Sequence, residues 1–306
     1  MSLPETLFSA YSIGTSLTTA DEVQKVLDQL KELQINRIDT AASWPNTRPG
    51  HSEALLGKVQ AMKQGFNVDT RIDVPTESSS APRRASTLTG PAIQKSLEKS
   101  LDRLQTNKIN VLYFHLPDEK TTIGQQAAAM QVQYAEGRFD KFGLWNFEAR
   151  ILKAFVLVCS ERGFVQPSVY QGWYNMVNRK EEELFPFLRQ QGIAFHACSA
   201  FSRFMTGRRT RGEGNWHSST YDNPKMQAGI MDFRETIRKL HISESEACLR
   251  WIYYHSKLQK GDGVILEASS APELAQHIKD IAKGPLPAES VKELDLLYKR
   301  LAWSVR

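Results

Sequence analysis

Ile38-Asp39-Thr40-Ala41-Ala42-Ser43-Trp44 is the stretch from which the chain is best read. It reads as the end of a buried strand that carries a carboxylate, Asp39, to a polar mouth. An apolar run closed by a charged residue suits a strand whose body is buried and whose end meets solvent. Trp44 closes the stretch with an indole N–H, which donates a hydrogen bond but is no acid near neutral pH.

The pattern repeats on both sides of this stretch. Apolar runs of strand type are predicted at 8–14, 35–40, 67–72, 110–115, 141–146, 168–171, 193–198 and 264–267. Helical periodicity is predicted at 21–33, 51–59, 91–104, 122–136, 149–162, 180–190, 225–240, 243–255, 272–281 and 288–301. In the first of these, Val23, Val26, Leu27, Leu30 and Leu33 form one apolar face. Pro91 suits a first helical turn. Eight strands, each followed by helix, predict one α/β domain over 1–306, a (β/α)8 TIM barrel with extra C-terminal helices. A doubly wound sheet would announce itself with a glycine-rich first turn, and Gly14-Thr15-Ser16 is too poor in glycine for that. Segments 77–84 and 206–223 read as polar loops.

Composition narrows the function classes. Of 306 residues, 41% are hydrophobic and 24% charged, the balance of a globular domain. No apolar run reaches the roughly 20 residues of a membrane span. The first residues lack a basic region followed by an apolar core, so no secretory signal is read there. Cys159, Cys198 and Cys248 have no metal spacing, and an odd, sparse count fits a reducing, cytoplasmic compartment. The net charge of +5 is interleaved, as in Arg179-Lys180-Glu181-Glu182-Glu183, and no nucleic-acid motif accompanies it. A small molecule is the expected partner.

In a barrel of this kind the active site lies at the C-terminal ends of the strands. Those positions are Asp39, Arg71, His115, Asn146, Gln171 and Cys198, with Ser269-Ser270 just after the last strand. Asp73 would share a face with Arg71 if that strand continued. Asp, Arg and His converging in one pocket would perturb one another's ionisation.

Several ordered motifs carry a family resemblance. Ile38-Asp39-Thr40-Ala41, Leu112-Tyr113-Phe114-His115-Leu116-Pro117-Asp118, Phe142-Gly143-Leu144-Trp145-Asn146-Phe147, Val169-Tyr170-Gln171-Gly172-Trp173-Tyr174-Asn175 and Glu183-Leu184-Phe185-Pro186 are five of them. Leu249-Arg250-Trp251 and Val264-Ile265-Leu266, with Ser269-Ser270 following, add to these. Together they resemble the aldo-keto reductases, in particular the aflatoxin-aldehyde-reductase-like branch, over nearly the whole chain. That family works with a tetrad of Asp, Tyr, Lys and His. The resemblance places the tetrad at Asp39, Trp44, Arg71 and His115, so the tyrosine and lysine are replaced. Arg71 can pair with Asp39 but stays charged and relays no proton.

The resemblance also implies NADPH, bound only weakly here. Asn146 and Gln171 match two of the three residues that hold the nicotinamide carboxamide, and Trp145 replaces the third, a serine. Cys198 stands where an aromatic usually stacks on the nicotinamide, and Arg203 and Phe204 replace small residues. Ser269 and Ser270 match the phosphate region, where Glu267 and His277 depart from it. Arg208, Arg209 and Arg211 are further candidates to grip phosphates.

Three functions follow. The first is an NADPH-dependent reductase with an altered proton donor. The second is a non-redox acid–base enzyme for a small hydrophobic or aromatic substrate, working by rearrangement, dehydration, isomerisation or cyclisation. The third is a non-catalytic binding protein. The missing tyrosine and lysine favour the second.

Overall fold

The computed structural model describes residues 3–72, 88–115, 118, 120–201, 224–239 and 241–302. Eight parallel strands close on themselves in chain order. They are β1 (Glu5–Ser9), β2 (Arg37–Asp39), β3 (Asn67–Ile72), β4 (Ile109–Phe114), β5 (Phe139–Trp145), β6 (Pro167–Trp173), β7 (Ala194–Cys198) and β8 (Gly263–Glu267). β8 pairs with β1, Glu5 opposite Gly263 and Ser9 opposite Glu267, which seals the barrel.

The helices follow the periodicity. They are α1 (Ala20–Glu32), α2 (His51–Lys58), α3 (Gly90–Leu104), α4 (Ile123–Ala135), α5 (Ala149–Arg162), α6 (Phe185–Gln190), α7 (Pro224–Lys239), α8 (Glu244–Tyr254), α9 (Ala271–Ala282) and α10 (Ala288–Ala302). Thr19 and Glu22 close a capping box at the start of α1, and Thr122 and Gln125 close another at α4. α1 buries Val23, Val26, Leu27 and Leu30. α10, after the last barrel helix, is the extra C-terminal helix. Among the described residues, no helix is long and apolar enough to cross a membrane.

Two expectations need correction. The first strand is Glu5–Ser9, not 8–14. The Ser9 side chain accepts from the Tyr11 N–H and turns the chain into a short 3-10 helix, Ala10–Ser12. Gly14, at φ +91°, lies outside any strand conformation. The expected helix at 180–190 is two pieces, a 3-10 turn Lys180–Glu183 and α6. Pro186 has no N–H for a continuous ladder and suits the first turn of a new helix.

The period of two along the strands sorts the side chains into two compartments. Ile38, Val68, Leu112, Phe142, Tyr170, Phe195 and Leu266 face outward into the core shared with the helices. Val111, Tyr113 and Val169 form a separate cluster inside the barrel, with Trp145 against it. The residues in step with these are strongly polar. Arg37 donates to Glu5 at 2.8 Å and to Asp69 at 2.6 Å, and Asn110, at an alternate position near the start of β4, donates to Asp69 at 2.5 Å. Above them the Tyr113 hydroxyl and His196 Nδ1 share a hydrogen bond of 2.9 Å. Burial drives the His196 pKa well down, so its imidazole is neutral.

Tyr113 fits because Gly143 faces it. A Cβ at Gly143 would lie 2.3 Å from the Tyr113 ring. Gly143→Ala is therefore expected to cost about 1–3 kcal/mol by overpacking, read as a lower midpoint in thermal or urea unfolding. An unchanged midpoint would show that the ring can move aside.

Candidate active site

Asp39 ends β2 and Arg71 lies one residue before the end of β3, so the barrel aims both at its C-terminal mouth. Both are almost wholly buried. Arg71 Nη2 donates to Asp39 Oδ2 at 2.7 Å, to Asp39 Oδ1 at 2.9 Å and to Gln171 Oε1 at 2.5 Å. Its Nη1 donates to the Thr40 carbonyl at 2.6 Å. Gln171 Nε2 donates back to Asp39 Oδ1 at 3.4 Å. Burial pushes the Asp39 pKa up, and the guanidinium works against that push. The three side chains form a closed unit.

A second ion pair lies beneath the first. Asp39 and Asp69 are register partners across the β2–β3 seam. Arg37 precedes Asp39 by two residues and Arg71 follows Asp69 by two, so each aspartate takes its own arginine. Burial lifts the Asp69 pKa to about 6 and Asp39 adds to the rise, while Arg37 opposes it.

Aromatic rings wall the upper pair. The Arg71 guanidinium carbon lies 4.9 Å from the Trp44 ring, 5.6 Å from Tyr113 and 5.9 Å from Trp145. A cation held this way out of water gains about 2 kcal/mol from a good ring face. Trp44 is fixed by its backbone N–H on the Ala41 carbonyl, by the Ser52 backbone N–H on its own carbonyl, and by Tyr11 edge-on at 5.2 Å. Trp44 and Arg71 thus pack on each other.

His115 follows β4 directly, and its half-buried ring meets Trp145 at 4.7 Å. Trp145 leans edge-on to Trp173 at 6.2 Å. The Cys198 thiol donates to the Gly172 carbonyl at 3.2 Å, and burial pushes its pKa to about 12, so it is a fastener rather than a nucleophile. Asn146 adopts a left-handed backbone, φ +54°, and its N–H donates to the Gln171 carbonyl at 2.8 Å.

Asp39, Trp44, Arg71, His115 and Gln171 are therefore linked by contact, and Asn146 joins through its backbone. Ser269 and Ser270 stand apart, at the start of α9. Ser270 Oγ accepts from the Glu273 N–H at 3.3 Å. The Ser269 N–H donates to Glu273 Oε2 at 2.8 Å, and its hydroxyl donates to the same oxygen. Asp73, Arg203, Phe204, Arg208, Arg209, Arg211 and both expected polar loops lie outside the described residues. No group of three or more metal-ligating side chains occurs among the described residues.

Sequence reading missed Arg37, Asp69, Tyr113, His196 and Glu273. For the first two the signal is the spacing: charges two apart, opposite in order on successive strands. Tyr113 and His196 hide in apolar runs that look uniformly buried.

Resemblance gives Gln171, Trp145, Ser269 and Ser270 to NADPH. The Gln171 amide oxygen accepts from Arg71 and one of its N–H groups donates to Asp39, so a carboxamide would compete with both. Trp145, which resemblance sets at the serine position, packs against His115 and Trp173. The first turn of α9 already holds a carboxylate. As arranged, these residues do not fit a phosphorylated dinucleotide.

The aldo/keto reductase family model matches residues 9–299. The oxidoreductase sirO of Leptosphaeria maculans is 28% identical over 296 residues, covering 92% of this chain and 86% of that protein. Aflatoxin B1 aldehyde reductase member 2 of Homo sapiens is 31% identical over 272 residues, covering 81% and 74%. The glycerol dehydrogenase AKR11B4 from Gluconobacter oxydans shares the fold, with a TM-score of 0.74 at 22% identity over 96% of this chain and 91% of that one. With the barrel, the ordered motifs and a match over nearly its full length, the chain belongs to the aldo/keto reductase family, in the aflatoxin-aldehyde-reductase-like branch.

Proposed function

We propose that this chain is an enzyme that acts on a small aromatic or hydrophobic molecule at the barrel mouth by acid–base chemistry without hydride transfer. One observation carries the reading: Arg71 is locked between Asp39 and Gln171 beneath Trp44. A family reductase needs a phenol there and a lysine to poise it. An indole donates no proton near neutral pH, and a guanidinium fixed in an ion pair relays none.

The proton falls to His115, because imidazole is the side chain that both gives and takes a proton near neutral pH. In a dehydration, His115 takes the proton from the carbon beside the leaving hydroxyl and returns it to that hydroxyl. Water departs, a carbon–carbon double bond forms, and no electrons are exchanged with a cofactor. The buried Asp39–Arg71 pair fixes the floor beneath Trp44, and Trp44, Trp145 and Trp173 wall the substrate's ring.

A second reading draws on the relatives, which are named as oxidoreductases and aldehyde reductases. Tyr11 packs on Trp44 and brings a phenol to the same rim. On that reading a bound NADPH would supply the hydride and Tyr11 would supply the proton.

The two readings part in one measurement, NADPH consumption with a panel of aromatic aldehydes. The expected result is no oxidation above the rate without enzyme. Turnover that is lost in Tyr11→Phe would overturn the acid–base reading in favour of the reductase.

A further inference from the structure

The hydrogen bonds that a dinucleotide would make in this family are made here by the chain's own side chains, at two places far apart in sequence. At the mouth, the Gln171 amide accepts from Arg71 and donates to Asp39. At α9, the Glu273 carboxylate accepts from the backbone N–H and the hydroxyl of Ser269. The start of a helix attracts an anion, since its first N–H groups are unpaired and the peptide dipoles sum to a partial positive charge there. In other proteins that anion is often a ligand phosphate. In this chain it is Glu273, reaching back from the third position of the helix as a capping glutamate does.

We infer that the dinucleotide groove of this barrel is occupied from within, and that Glu273 is the residue that shuts its phosphate end. Charge explains why the closure is selective. A phosphate approaching Ser269 meets a carboxylate already in its place, and two like charges on one helix end repel. His277 reinforces the packing: its ring lies against Phe201 at 4.7 Å, and its Nε2 is 4.0 Å from Glu273 Oε1. The phosphate end lacks affinity because a competitor is built in, so removing that competitor should open that end.

The inference rests on the proposed function only in reading the chain as one without hydride transfer. It is tested with adenosine 2′,5′-bisphosphate, which carries phosphates and no nicotinamide. Calorimetric titrations would compare wild type, Glu273→Gln and Glu273→Ala. Glutamine keeps an acceptor for the Ser269 N–H and removes the charge; alanine removes both. Wild type should show no binding at millimolar probe, and each variant that unfolds cooperatively should gain roughly tenfold or more in affinity. Micromolar binding by wild type overturns the inference and leaves the chemistry of the mouth untouched. So does a failure of cooperatively folding variants to gain affinity. NADPH consumption by wild type is the separate result that removes the proposed function.

Discussion

Arg71→Ala should lower the free energy of unfolding by about 3–5 kcal/mol, the usual consequence of stripping one partner from a buried ion pair. The loss is large because Asp39 has no access to water and would keep only Gln171. Trp44 and Trp145 would lose the cation they enclose as well. The deficit should depend on pH in a defined direction. Burial already raises the Asp39 pKa, and without the guanidinium nothing comparable opposes it. A carboxyl whose folded pKa is raised penalises the folded state above that pKa. The penalty fades as pH falls toward the ordinary carboxylate range, where both states are protonated. Urea unfolding at neutral pH and near pH 4 would read this. A deficit below about 1 kcal/mol at neutral pH, the scale of an exposed pair, would show that the pair is not the keystone described.

His115→Ala should reduce turnover by about 10²–10⁴-fold once a substrate is in hand, the range for a positioned acid or base. Stability should change less than for Arg71, since His115 is only half-buried whereas Arg71 is a wholly buried charge in an ion pair. The loss should fall on kcat, because the imidazole moves a proton rather than holding the ring. A variant that keeps the wild-type rate would transfer the role to Asp39.

The barrel was legible in the sequence because its two periodicities are strong. Seven of the eight strands lie within two residues of their expected places, and the expected helix 149–162 is α5 to the residue. β1 was misplaced because a serine side chain bends the backbone after Ser9, and one hydroxyl leaves no mark on an apolar pattern. β2 is only three residues long, shorter than the run that announces it. The mouth was legible as a set of residue types. Its internal bonding was not, because Gln171 looks the same in sequence whether it faces a ligand or Arg71. Glu273 escaped notice for a similar reason. A glutamate early in a helix reads as an ordinary cap, and only its bond to Ser269 turns it into the occupant of a site.

The packing of Trp44 on Arg71 at 4.9 Å has a consequence for any attempt to install a tyrosine and a lysine at these two positions. Residues in contact do not contribute independently, so the effect of either substitution depends on whether the other is present. A tyrosine restored alone would face a guanidinium still clamped to Asp39, and a lysine restored alone would leave the indole face without its planar partner. Each single reversal is uphill where the joint one need not be. Restoring both residues together should therefore cost less stability than the sum of the two single replacements.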